Sequence, residues 1–216
     1  MKSPAITYCL FMSIQAAPVM AMQAPPAAPS DVTVSADSLV TALRHGGYVV
    51  VFRHAHTDRS KMDDRDWSLS NRSTQRNLSD RGADDARRIG QAMASSRIPV
   101  GEILASPMFR TRETAEHAFG RAESTELLRS RRTTPEARAL LTTGPERGVN
   151  RVLVTHNAYI NRYLSAHGHG RIGEGDAVVV RPLADGKYEV LGRITLEQWL
   201  ELARSAYEER SDSPHR

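Results

Sequence analysis

Residues 48–56 read YVVVFRHAH, a continuous apolar and largely β-branched run that leads directly into basic side chains. A run without polar alternation is typical of a central strand that is covered on both faces. Two further stretches, Val100–Ala105 and Val152–Val154, have strand character later in the chain. We expect these three segments to form neighbouring strands of one sheet.

Helical patterns alternate with these strands. Apolar residues recur at helical spacing in Asp80–Ser96, where Ser79 is placed as the N-cap, and Gly120 marks the end of the next helix. The other predicted helices are Ser35–Arg44, Arg110–Phe119, Pro135–Leu141 and Ala158–Ala166. This alternation predicts an α/β fold, a three-layer sandwich around a mostly parallel central sheet.

The C-terminal part of the chain has a different pattern. Ala177–Arg181 and Tyr188–Ile194 flank Asp185-Gly186, which is a strong hairpin signal. Thr195 and Gln198 have the spacing of a capping box. We therefore expect a hairpin, followed by a helix that ends near residue 207.

Length and composition exclude several classes of protein. The chain has 216 residues, of which 40% are hydrophobic and 25% charged, which suits one globular domain and not a collagen-like, disordered or disulfide-based chain. Its single cysteine cannot form an intrachain disulfide. Basic residues number 29 against 25 acidic ones, but they are dispersed, and aromatic residues make up only 6%, so no nucleic-acid partner is expected.

The N-terminus is typical of a targeting segment. Lys2 precedes a short apolar run, and small residues near Val19-Met20-Ala21 suit cleavage, so residues 1–21 are predicted to be a signal peptide. The run is too short to span a bilayer, and no stable membrane insertion is expected. Residues 22–34 are predicted to be a Pro/Ala-rich linker, 35–208 the folded domain and 209–216 a disordered tail. The mature protein is expected to be secreted, with the periplasm as its compartment.

Basic side chains follow each of the three predicted strands. Arg53 and His54 follow the first, Arg110 the second and His156 the third. Sites in open α/β sheets form at the carboxyl ends of the strands, so these side chains should meet at one edge. Arginines neutralise phosphoryl oxygens, and a neutral imidazole can attack phosphorus. The pattern predicts an anion site with a candidate nucleophile.

Three segments of the chain resemble motifs of the histidine phosphatase superfamily, in the branch that includes the phosphoglycerate mutases. FRHA at residues 52–55 resembles the family's Arg-His-Gly signature, with alanine in place of glycine. SPMFRTRETA at 106–115 resembles its Ser-Pro-x-x-Arg-x-x-x-Thr-Ala segment, and VTHN at 154–157 its second-histidine motif. The motifs occur in the family's order, and the resemblance extends from Tyr48 to about Ile194.

The resemblance implies a role for each matched residue. His54 would be the nucleophile, Arg53 and Arg110 would hold the phosphoryl group, and His156 would complete the pocket. QRNLS at 75–79 resembles a stretch of the short phosphohistidine-phosphatase subgroup, which adds Arg76 as a phosphate ligand.

The general acid that protonates the leaving oxygen is not identified by these motifs. Residues 124–148 lack the glutamate context of the mutases, and Asn157 stands where acid-phosphatase relatives carry aspartate. Asp58 is the first candidate, and Glu174 or Asp176 are alternatives. A further option is that a good leaving group, such as a phosphoramidate, needs no acid.

The remaining motifs are open to two interpretations. The His-x-His pairs at 54–56 and 167–169 can bind a metal, but the mature chain would have no cysteine, and His54 is better explained as a nucleophile. Neither a metal nor another cofactor is therefore expected. The acidic run at 63–66 is either a solvated loop or a rim that controls access. Trp67 either anchors its loop or stacks on a sugar.

The resulting hypothesis is a metal-independent phosphatase that hydrolyses a phosphomonoester through phospho-His54. It resembles small envelope phosphatases such as the lipopolysaccharide-core heptose-phosphate phosphatase, which implies a phosphosugar or an envelope glycan as substrate. The alternatives are a protein phosphohistidine phosphatase and a non-catalytic phosphate-binding envelope protein.

Overall fold

The apolar run at 49–53 forms the strand on which the sheet is centred. The computed structural model describes residues 34–129, 132–165 and 170–211. The predicted signal peptide, nearly all of the predicted linker and residues 212–216 lie outside these described residues. So do His167 and His169.

The described residues form six strands and six α-helices. The strands are β1 (Val49–Arg53), β2 (Val100–Ala105), β3 (Glu123–Ser124), β4 (Asn150–Thr155), β5 (Ala177–Pro182) and β6 (Tyr188–Ile194). The helices are α1 (Ala36–Leu43), α2 (Asp80–Ser95), α3 (Phe109–Phe119), α4 (Pro135–Thr142), α5 (Asn157–Leu164) and α6 (Leu196–Ser211). Short 3₁₀ helices occupy Arg72–Thr74 and Glu126–Leu128.

The sheet is mixed, and the prediction of a mostly parallel sheet was wrong. The strand order is β3-β2-β4-β1-β5-β6, in which β3, β2, β4 and β1 pair in parallel, and β5 is antiparallel to both β1 and β6. The segment before β5 lies against the carboxyl end of β1, where the Gly175 amide donates to the carbonyls of Arg53 and His54. Strand β5 therefore starts at that edge and runs back along β1.

The two faces of the sheet bury separate apolar clusters, which gives the three layers that were predicted. Val50 and Phe52 point into a cluster with α1, α2, α3 and α6, whereas Val49 and Val51 point into one with α4 and α5. Each of these four strand side chains is at most 1% exposed. Burial on both faces explains why β1 lacks polar alternation.

Helix termini follow the predicted capping chemistry. Ser79 Oγ accepts a hydrogen bond from the Gly82 amide at 3.1 Å, and Gly120 ends α3 in the left-handed conformation, with φ of 72°. Helix α6 extends to Ser211, beyond the predicted end near residue 207. Within the described part of the chain, no helix has the length and apolarity needed to cross a membrane.

Candidate active site

The carboxyl ends of β1, β2 and β4 bring the predicted basic residues to one cavity. The His54 amide donates to the Thr155 carbonyl, and the Ser106 amide donates to the Val154 carbonyl, so the three strand ends are joined by backbone hydrogen bonds. The cavity has a volume of about 750 Å³. It is lined by Arg53, His54, Asp63, Trp67, Arg76, Met108, Arg110, Glu126, Arg129, Arg132, His156, Asn157 and Ala158.

His54 is held in the tautomer that a nucleophile requires. It is 3% exposed, and its Nδ1 lies 2.9 Å from the carbonyl oxygen of Ala55. A carbonyl can only accept, so Nδ1 carries the proton and Nε2 keeps its lone pair. Burial lowers the pKa of His54 well below its ordinary value, and the neighbouring His156 and Arg110 lower it further. The imidazole is therefore neutral at physiological pH.

His156 lies beside His54. The two ring centroids are 5.6 Å apart, and His156 Nε2 lies 2.8 Å from Ser106 Oγ. Burial, followed by the charge of Arg110, lowers the pKa of His156 to about 3. The ring is thus neutral as folded, and a nearby anion would favour its protonated form.

Three arginines that line the cavity have unpaired donors. The Nε atoms of Arg53, Arg76 and Arg110 are buried and have no hydrogen-bond acceptor among the described residues. Arg53 is oriented by a bond from its Nη1 to the Ile172 carbonyl at 2.9 Å and by Glu174 at 3.5 Å. Burial lowers the pKa of both Arg53 and Arg110. Buried guanidinium groups with free donors are suited to an anionic ligand.

The segment at 106–115 positions Arg110 through its threonines. Thr114 Oγ1 accepts from the Ala55 amide at 3.0 Å and donates to the Arg110 carbonyl at 2.6 Å. Thr111 Oγ1 donates to the Ser106 carbonyl at 2.7 Å. The bonds of Thr114 fasten the start of α3 to the loop that carries His54, which gives the threonine of this segment a structural role.

The loop between β1 and α2 supplies groups that the motifs did not reveal. Gln75 is fully buried, and its side chain donates to the Ser68 carbonyl at 2.6 Å and accepts from the Phe109 amide at 3.1 Å. Asp63 contacts both Arg76 and Arg110. Trp67 lines the cavity under the guanidinium of Arg129, which lies 5.5 Å from the ring centroid. The motifs did not indicate the role of Asp63 or the buried contacts of Gln75, because Arg110 and Phe109 are distant from them in sequence.

The three carboxylates considered as general acid do not line the cavity. Asp58 is exposed, and hydrogen bonds from the Ser60 hydroxyl and amide lower its pKa. Glu174 contacts Arg53, Arg59 and Thr57. Asp176 is buried and accepts from the amides of Gly173 and Leu196, which is a structural role. The structure therefore brings none of them to the cavity surface.

The described residues contain no group of three or more histidine, cysteine, aspartate or glutamate side chains that could hold a metal ion. His56 Nδ1 lies 2.7 Å from Ser79 Oγ, so this member of the first His-x-His pair is placed at the cap of α2. His167 and His169 cannot be assigned, because they lie outside the described residues.

Comparison with known proteins agrees with this geometry. Residues 49–132 match the model of the histidine phosphatase superfamily, branch 1. No curated protein matches the sequence significantly.

Several solved structures share the fold. The protein histidine phosphatase SixA complexed with tungstate has a TM-score of 0.50 and 16% identity, and the match covers 69% of this chain and 97% of that one. Mycobacterial hydrolase 1 also has a TM-score of 0.50 and 16% identity, with 67% and 95% coverage. The putative phosphohistidine phosphatase SixA from Agrobacterium tumefaciens has a TM-score of 0.50 and 18% identity, with 69% and 98% coverage.

At these identities the structures establish only the fold, and the sequence match points to the family. The matched residues 49–132 are similar to branch 1 of the histidine phosphatase superfamily, and they span less than half of the chain.

Proposed function

We propose that this protein hydrolyses a phosphomonoester through a covalent phosphohistidine intermediate on His54. One observation carries the proposal: a buried, neutral imidazole keeps its Nε2 lone pair free beside arginines with unpaired Nε donors. A nucleophile and an anion site in one cavity are what phosphoryl transfer to an enzyme needs.

The geometry suggests the course of the first step. The phosphoryl oxygens accept from Arg53, Arg76 and Arg110, which places phosphorus near His54 Nε2. The N–P bond forms as the bond from phosphorus to the leaving oxygen breaks, and the positive imidazole retains its Nδ1 proton through Ala55. The incoming dianion favours protonation of His156, which then donates to a phosphoryl oxygen. Water later attacks phosphorus, releases inorganic phosphate and returns His54 to its neutral form.

The test is hydrolysis of p-nitrophenyl phosphate by the purified chain, beside His54→Asn and the exposed control His45→Asn. Loss of the nucleophile should lower kcat/KM by at least about a thousandfold, whereas the control should be unchanged. A rapid acid-free quench should trap a phosphoryl group that is stable to base and labile to acid, as a phosphoramidate is. Equal activity of His54→Asn and wild type would contradict the proposal.

A protein phosphohistidine phosphatase is the second candidate. It is favoured by the position of Asp58, Glu174 and Asp176 away from the cavity, because a phosphoramidate nitrogen leaves more readily than an alcohol. The structural similarity to a protein histidine phosphatase is compatible with this candidate, but at 16% identity it establishes only a shared fold. Preferential turnover of a phosphohistidine peptide over aryl phosphates would favour this candidate. Tight vanadate binding without any turnover would favour a non-catalytic phosphate-binding protein instead.

We further propose that the mature protein acts in the periplasm on a phosphosugar or an envelope glycan. The predicted signal peptide at 1–21 supports export, and Trp67 in the cavity wall offers a flat apolar face for a sugar ring. Cell fractionation with N-terminal sequencing tests the location. Release of phosphate from envelope glycans, compared between wild type and Trp67→Ala, tests the substrate.

A further inference from the structure

Two carboxylates line the cavity among the residues that the structure describes, Asp63 and Glu126. Glu126 is the poorer candidate for chemistry. Its side chain is 59% exposed, and its Oε2 accepts from Arg129 Nε and Nη2, each at 2.7 Å. Glu126 is therefore engaged in a solvent-exposed ion pair within its own turn.

Asp63 contacts two of the arginines that line the cavity. Its Oδ1 accepts from Arg110 Nη1 at 3.1 Å and from the Arg76 amide at 2.8 Å. Its side chain is 30% exposed, whereas that of Arg110 is only 9% exposed. The carboxylate therefore sits at the boundary between the buried arginine and the open part of the cavity, where the leaving group of a bound phosphomonoester would lie.

We propose that Asp63 is the general acid that protonates the leaving oxygen. The inference rests on the proposed phosphomonoesterase function and supplies the acid that the sequence motifs leave unassigned.

A change of ion-pair partner at Arg110 would allow Asp63 to take up the proton that it later donates. As folded, the negative Asp63 carboxylate is matched by the Arg110 guanidinium. When a phosphoryl dianion binds to Arg110, it takes over that cation and places a second negative charge close to Asp63. A like charge at short range disfavours the ionised carboxylate, so the Asp63 carboxyl group takes up a proton from solvent.

Asp63 would act in both halves of the reaction, first as an acid and then as a base. In the first, the His54 Nε2 lone pair forms the N–P bond, the bond from phosphorus to the leaving oxygen breaks, and the Asp63 proton passes to that oxygen. The products are an alcohol, phospho-His54 and the Asp63 carboxylate. In the second, this carboxylate accepts a proton from the attacking water, the O–P bond forms, the N–P bond breaks, and inorganic phosphate leaves.

The test compares leaving groups, because only an acid catalyst distinguishes them. Asp63→Asn keeps the size of the side chain and an oxygen for the Arg76 amide, but it has no acidic proton. With phenyl phosphate, a poor leaving group, kcat/KM should fall about 100-fold. With 2,4-dinitrophenyl phosphate, whose phenolate leaves without a proton, it should fall less than about threefold. Asp64→Asn, an exposed neighbour in the same loop, is the matched control and should leave both rates unchanged.

Vanadate affinity gives an independent measurement. Asp63→Asn removes the charge that competes for Arg110, so vanadate should bind as tightly as in wild type or more tightly. Equal loss on both aryl phosphates with weaker vanadate binding would make Asp63 a positioning residue for Arg110 and overturn the inference. Unchanged rates on both would also overturn it. An inactive wild type would instead refute the proposed phosphomonoesterase function, on which the inference depends.

Discussion

The two walls of the cavity are built in different ways. The inner wall comprises Arg53, His54, Arg110 and His156, each within five residues of the carboxyl end of a strand. The outer wall comprises Asp63, Trp67, Arg76 and Arg129, which lie on loops and beside a 3₁₀ helix.

The difference lies in what fixes the side chains. Backbone hydrogen bonds between neighbouring strand ends fix the inner wall, and its imidazoles are buried and neutral. Side-chain contacts across long sequence separations fix the outer wall, such as Asp63 to Arg110 and Gln75 to Phe109. We therefore expect the inner wall to determine phosphoryl chemistry and the outer wall to determine proton supply and substrate choice.

The largest expected effect is on vanadate binding, and it compares an arginine of the inner wall with one of the outer wall. Arg110→Ala should weaken vanadate binding roughly 100-fold, because charge-assisted hydrogen bonds to a buried guanidinium are lost. Arg76→Ala should weaken it about tenfold, since Arg76 is the phosphate ligand that we propose for the outer wall. Arg112→Ala is the control and should bind normally, because Arg112 stacks on Phe109 and does not line the cavity. Titration calorimetry measures all three, and equal losses for Arg110→Ala and Arg112→Ala would refute the placement.

A smaller effect concerns stability toward acid. The folded-state pKa of His156 is lowered, so below about pH 6.5 the unfolded chain binds a proton that the native protein refuses. That contribution to stability is present above the unfolded pKa and is lost as pH falls toward the folded value of about 3.

The loss should amount to about 2 kcal/mol between pH 7 and pH 5 for His156. His156→Asn should remove this share of the pH dependence in urea unfolding, whereas the exposed His45→Asn should retain it. An identical slope for wild type and His156→Asn would show that the inner wall does not hold a neutral imidazole.

The smallest expected effect is that of chelation. In the proposed mechanism the nucleophile is an imidazole and not a metal-bound water, so EDTA should leave kcat/KM for p-nitrophenyl phosphate unchanged. Loss of activity that zinc restores would mean that carboxylates of the outer wall hold an ion, and the comparison between the walls would need revision.

The inner wall could be predicted from the sequence because local patterns specify it. The run before Arg53 marks a buried strand, and the residue that follows a buried strand lies at the carboxyl edge of the sheet. The same logic placed Arg110 and His156. The strand-end rule failed for Asp58, which follows β1 by only five residues but turns outward onto Ser60.

The outer wall could not be predicted in this way. Asp63 stands in an acidic run that is equally consistent with a solvated loop, and its contact with Arg110 spans 47 residues. The orientation of β5 was missed for a related reason. Hydrophobic patterning reports that a strand is buried on both faces, but it carries no information about the direction of the strand.

The sequence by itself determined the three layers, the central strand and the basic residues at its edge, because burial pattern and strand-end position are local properties of the chain. Tertiary structure alone decided the mixed sheet, the neutral state of His54 and His156, and the carboxylate that faces the phosphoryl site. These depend on which distant groups become neighbours and on how completely water is excluded between them, and neither is encoded in any short stretch of residues.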